Sequence, residues 1–87
     1  MNLSVTENDF IHLWDTSMEW GEFWREKSER FDPPISYHWK RAYWFYSYAN
    51  LLVARSFLNE QGYETQTTFD DGVDSWLLLT DYNKEII

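Results

Sequence analysis

From Ile35 to Gln61 the chain reads ISYHWKRAYWFYSYANLLVARSFLNEQ, with no Gly or Pro, and Gly62 stands where a helix C-cap residue belongs. Apolar residues fall on two lines at helical spacing. One is Trp39, Ala42/Tyr43, Tyr46, Ala49, Val53 and Phe57; the other is Tyr37, Trp44, Tyr48, Leu51 and Leu58. At 100° per residue the lines lie roughly 140° apart. This spacing predicts one long central helix over about 36–61, with Ser36 as its N-cap. A helix apolar on two sides is expected to be covered on both.

The stretch before it shows the same period. Ser4 and Thr6 are N-cap candidates, with Glu7 and Asp9 three residues on as acidic partners. A first helix is expected from about Glu7, carrying Phe10, Leu13, Trp14, Trp20, Trp24 and Phe31 on one broad side. It must stop before Asp32-Pro33-Pro34, since proline excludes helix for its predecessor. Gly21 weakens it by about 1 kcal/mol relative to Ala, and Asp15-Thr16-Ser17 leaves a break near residue 16 as the alternative. The short Pro-Pro corner makes the two helices antiparallel neighbours.

After Gly62 the period becomes two. Tyr63, Thr65, Thr67 and Phe69 alternate with Glu64, Gln66 and Thr68; Asp70-Asp71-Gly72 signals a turn, and Ser75–Thr80 returns as a second strand. A two-residue Asp71-Gly72 turn sets Thr67 opposite Trp76 and Thr65 opposite Leu78; a loop through Asp74 shifts that register. The expected fold is therefore α+β in a single domain over 1–87. It comprises a two-helix hairpin followed by a C-terminal β-hairpin packed on the central helix, because a lone hairpin is marginal in water.

Composition changes the picture in two ways. Six Trp, six Tyr and six Phe give an 87-residue chain a firm core with rings left over. Formal net charge is −8, which argues against direct nucleic-acid binding. By segment, residues 1–34 carry −5 (8 acids, 3 bases), 35–61 carry +2 (1 acid, 3 bases) and 62–87 carry −5 (6 acids, 1 base). There is no Cys, so disulfides and thiolate metal sites are excluded, and a reducing compartment fits. No apolar run of about 18 residues and no secretion-signal pattern occurs, so neither a membrane span nor export is expected, and the cytoplasm is the expected location.

One constellation stands out. Asp15, Glu19, Glu22, Glu26 and Glu29 are spaced 4, 3, 4 and 3. On a helix these five carboxylates form one line of about 21 Å. Such a stripe reads either as a solvated face or as a phosphate-like row presented to a basic surface on another protein. Asp70, Asp71 and Asp74 form a second acidic group at the hairpin tip. Tyr37, Trp44, Tyr48 and Leu51 form an alternative aromatic patch, a hot spot for a partner or a second copy of the chain if exposed.

Other chemistry is thin. Asp70-Asp71-Gly72-Val73-Asp74 lacks the spacing and the twelfth-position Glu of a calcium loop. His12 and His38 each lack a second ligand at metal spacing. No nucleophile elbow or phosphate-cradling Gly loop is present, so no enzyme activity, metal or cofactor is expected. Lys40, Arg41 and Arg55 beside the rings resemble a nucleic-acid face only until net charge is weighed. The expected function is an acidic inhibitor that blocks a nucleic-acid-binding protein, of the type phages and mobile elements use against host defence. The alternative is an adaptor or homo-oligomerising module that binds through its aromatic patch.

Overall fold

The computed structural model describes residues 5–21, 29, 31, 34, 35 and 37–83. The elements run α1 (Glu7–Phe10), β1 (Thr16–Glu19), β2 (Arg41–Phe45), α2 (Tyr48–Glu60), β3 (Thr65–Asp70) and β4 (Ser75–Thr80). The strands form one antiparallel sheet in the order β1-β2-β4-β3. Since β2 and β3 are each antiparallel to β4, they run parallel to one another. The β2–α2–β3 connection thus crosses over the place that β4 later fills.

The expected helical hairpin is not formed. The first helix is one turn long, and the stretch expected to continue it pairs as a strand, Thr16 opposite Trp44 and Glu19 opposite Arg41. The central helix begins only at Tyr48, and its expected first third holds the strand Arg41–Phe45. The physical reason lies in what two-sided apolarity means. All five residues of β2 are buried, with alternate side chains pointing to opposite faces of a sheet covered on both. An apolar run of this kind fits a buried strand as well as a buried helix, and RAYWF is rich in the aromatics that pleated surfaces favour. The good helix formers Ala49, Leu51, Leu52, Ala54 and Arg55 cluster after Ser47, whose hydroxyl caps α2 by accepting the Asn50 N–H at 3.2 Å.

Local signals elsewhere act where they stand. Thr6 caps α1 in a capping box: its hydroxyl accepts the Asp9 N–H at 3.1 Å while Asp9 accepts the Thr6 N–H at 3.1 Å. Gly62 adopts φ +91°. Around it the Tyr63 N–H bonds Leu58 O at 3.0 Å and the Gly62 N–H bonds Asn59 O at 3.1 Å, a Schellman ending. In the β3–β4 hairpin Asp70 lies opposite Ser75 and Thr67 opposite Leu78. The loop therefore runs through Asp74, and the two-residue-turn register is replaced by the shifted one.

Two apolar layers sandwich the sheet. On one face Tyr43, Phe45 and Leu78 meet Leu51, Ala54, Phe57 and Leu58 of α2, with Phe10 and Tyr82 completing the cluster. Phe10 packs edge-on against Tyr43 and Tyr82 and stacks on Phe57. The Tyr82 hydroxyl donates to Glu7 at 2.8 Å, and the Tyr43 hydroxyl to the Tyr82 carbonyl at 3.1 Å. These contacts pin the one-turn helix, too short to persist alone, to the far end of the chain.

The other face carries Ala42, Trp44, Leu77 and Leu79, covered by Trp20, Phe31, Ile35 and Trp39. This cover is not a helix where it is described; Gln66 holds it instead. Gln66 accepts the Trp39 indole N–H at 3.0 Å and donates to the Pro34 carbonyl at 2.8 Å. Among the described residues no helix is long and apolar enough to cross a membrane.

Candidate functional site

The three residue groups singled out by sequence are redistributed by the sheet. In the acidic stripe, Asp15 directly precedes β1 and Glu19 ends it. Extended backbone places them about 13 Å apart along the strand, at roughly 3.3 Å per residue, rather than one helical turn apart. Glu29 is exposed, and Glu22 and Glu26 lie outside the described residues. The stripe therefore does not start as a helical line. In the hairpin tip Asp71 and Asp74 are exposed, but Asp70 is 2% exposed. The aromatic patch is divided: Leu51 lies in the helix-side core, Trp44 in the opposite layer, and only Tyr37 and Tyr48 are exposed.

One residue from each group nonetheless meets the others. Asp15, Trp44 and Asp70 line a single groove of about 330 Å³. The chain builds it in three steps. First, the Asp15 N–H bonds the Trp44 carbonyl at 2.8 Å and its carboxylate accepts the Tyr46 N–H at 2.7 Å, fastening the start of β1 to the end of β2. Second, the Trp44 indole crosses toward the hairpin tip and donates to Asp70 Oδ2 at 3.0 Å. Third, Asp70 Oδ1 accepts the Gly72 N–H at 3.0 Å, an Asx-type bond that shapes the turn. Asp70 is thus a structural acceptor, bonded to groups on two elements, not a surface contact.

The remaining walls are Thr16, Ser17, Met18, Tyr46, Val73 and Ser75. Met18 (37%), Val73 (55%) and Tyr46 (72%) are among the exposed large apolar side chains. Periodicity did not single them out as a site: read as a helix, Tyr46 belonged to a buried line and Met18 to no line. The signal available was the Tyr46-Ser47 step, where aromatic residues give way to a cap and helix formers.

A second hollow of about 340 Å³ at the other end of the sheet is lined by Glu19, Gly21, His38, Trp39, Lys40 and Asn83. Nearby, the buried Arg41 guanidinium donates to Asn83 at 2.7 Å and to Ser17 at 3.0 Å, which fixes it as a structural cation. No group of His, Cys, Asp and Glu that could hold a metal occurs among the described residues. His12 and His38 are both exposed, one following α1 and the other preceding β2.

The resolved protonation shifts lie away from the groove. Burial pushes the Tyr43 phenol up to about 12, against a small opposing pull from Arg41. Burial, then the bond to Glu7, raises Tyr82 further. The Thr6 N–H and hydroxyl hold the Asp9 carboxyl below its usual range. These shifts follow from the burial and capping that hold the fold. No family model, curated protein or solved structure matches the chain.

Proposed function

We propose that the protein is a non-enzymatic, acidic protein-binding protein of the cytoplasm that occupies the basic, nucleic-acid-binding surface of another protein. Its action would be that of an inhibitor of the phage or mobile-element kind. The observation that carries this reading is the sign of the exposed charge. Among the described residues Glu7, Asp9, Asp15, Glu19, Glu29, Glu60, Glu64, Asp71 and Asp74 are exposed, whereas Lys40 is the exposed Lys or Arg; Arg41 is buried and Arg55 partly so. Carboxylates thus appear on or beside every element of the fold. Such a surface steers toward arginine and lysine clusters and repels phosphates.

The test is retention of proteins from source-cell lysate on the immobilised chain, followed by elution with duplex DNA. A retained protein that DNA and salt release, and that is lost when Asp15, Glu19, Glu22, Glu26 and Glu29 become amides, supports the reading. Retention that survives DNA, salt and the amide variant refutes it. That result favours the second reading, an adaptor or homo-oligomerising module, for which the exposed rings of Tyr37, Tyr46, Tyr48 and Tyr63 speak. Light scattering over a range of concentrations separates self-association from binding to another protein.

A further inference from the structure

We propose that the groove between β1 and the 71–74 turn receives an arginine side chain of the partner, a site that rests on the acidic-surface reading above and gives it an address. The apolar sheet face that holds Trp44 is covered by Trp20, Phe31, Ile35 and Trp39. At the end bearing Asp15 and Asp70 it opens into the groove. A volume of about 330 Å³ lies near the lower limit of small-ligand sites, roughly 300 Å³. It suits one long side chain better than a cofactor.

The lining selects which side chain. The Trp44 and Tyr46 rings with Met18 and Val73 offer flat and soft apolar surface. Asp15 at the groove wall and Asp71 and Asp74 in the adjoining turn supply negative charge, and among the described residues no basic one lines the groove. Lys40 sits beyond the other end of β2, and the Arg41 guanidinium, though it bonds the wall residue Ser17 at 3.0 Å, does not itself line the groove and is already held by Ser17 and Asn83. A guanidinium is planar, weakly hydrated, stacks on aromatic rings and forks onto carboxylates; an ammonium is strongly hydrated and does not stack. Arginine therefore fits this combination better than lysine, and a neutral side chain of the same shape leaves the acids unanswered. Nucleic-acid-binding surfaces are rich in arginine, so the site and the proposed partner class agree.

The experiment is a two-dimensional NMR titration of the full chain with the blocked tripeptide Ac-Ala-Arg-Ala-NH2, set beside its lysine and citrulline counterparts. The expected result is a saturable millimolar shift of the Trp44 indole N–H and of the Met18 and Val73 amides with arginine. The shift should be weaker with lysine and absent with citrulline. Asp15→Asn, which keeps an acceptor for the Tyr46 N–H, should weaken binding about two- to five-fold, the range of an exposed ion pair. Met18→Lys and, independently, Val73→Lys place a resident cation at the groove and should abolish the shift, with folding verified from the rest of the spectrum. No response at Trp44, equal responses to arginine and citrulline, or unchanged binding in both folded lysine variants would overturn the site. The two readings fail separately. A DNA-releasable partner held equally by Met18→Lys and the wild type overturns the groove and spares the acidic-surface function; an arginine shift with no DNA-releasable partner does the reverse.

Discussion

Asp70 offers the sharpest test of how the hairpin tip is built, because sequence reasoning placed it on the surface and the structure places it inside. Replacing it by Ala removes the acceptor of two N–H groups, the Trp44 indole and the Gly72 backbone, each at 3.0 Å. Trp44 is 8% exposed, so its orphaned indole N–H should cost about 1–3 kcal/mol. Gly72 is exposed, and its N–H can turn to water, which limits that loss to about 0.5–1.5 kcal/mol. The sum is about 1.5–4.5 kcal/mol, a large share of the roughly 4–13 kcal/mol expected for a chain of this length at 0.05–0.15 kcal/mol per residue. At about 4–8 °C per kcal/mol for a domain of this size, it corresponds to a fall in Tm on the order of 6–36 °C. Asp70→Asn keeps one acceptor oxygen but turns an amide N–H₂ toward one of the two donors, so it should fall between Ala and wild type. Asp71→Ala, one residue along and exposed, should change stability by less than about 0.5 kcal/mol. Urea unfolding followed by tryptophan fluorescence measures all three. An Asp70→Ala midpoint as close to wild type as that of Asp71→Ala would refute the Trp44–Asp70–Gly72 linkage and return Asp70 to the surface acids.

Three further expectations follow from the same structure. Tyr43 and Tyr82 are held protonated in the fold. A raised folded value means that stability is full below the unfolded phenol value of about 10. It is then lost as pH climbs through the Tyr43 value of about 12. Equilibrium unfolding across that window should show the decline, and it should be smaller in Tyr43→Phe, which is itself less stable at neutral pH for want of the bond to the Tyr82 carbonyl. Gly62→Ala meets nothing within 4 Å but must adopt φ +91°, so it should cost about 1–2 kcal/mol. Gly21→Ala, with equally open space and a backbone outside the left-handed region, provides the comparison in thermal melts. Thr6→Ala should destabilise by about 1 kcal/mol through the lost cap. Because Asp9 is depressed by that cap, the wild type's advantage should be present above the unfolded Asp value and fade as pH falls through the lower folded one, readable in acid titrations monitored by circular dichroism.

The sequence by itself determined those features that rest on contacts a few residues apart. Thr6 and Asp9 close the capping box, Gly62 ends α2, and the alternation after it makes the β3–β4 hairpin, because each depends on backbone geometry within one or two turns. The acidity of the surface is likewise a property of composition. The two-sided apolarity of Arg41–Phe45 was also legible, but its period was not. Five residues sample too little of either a 100° or a 180° repeat to choose between them, and the choice fell to strand because β1 and β4 supply hydrogen bonds on both edges. Those partners lie more than twenty residues away on one side and more than thirty on the other. The groove is tertiary in the same sense. Asp15, Trp44 and Asp70 belong to three separate stretches, and only the strand order β1-β2-β4-β3 brings them to one end of one face. Burial of Asp70 was decided there too, since a carboxylate in a polar turn becomes a core acceptor only when a distant indole reaches it.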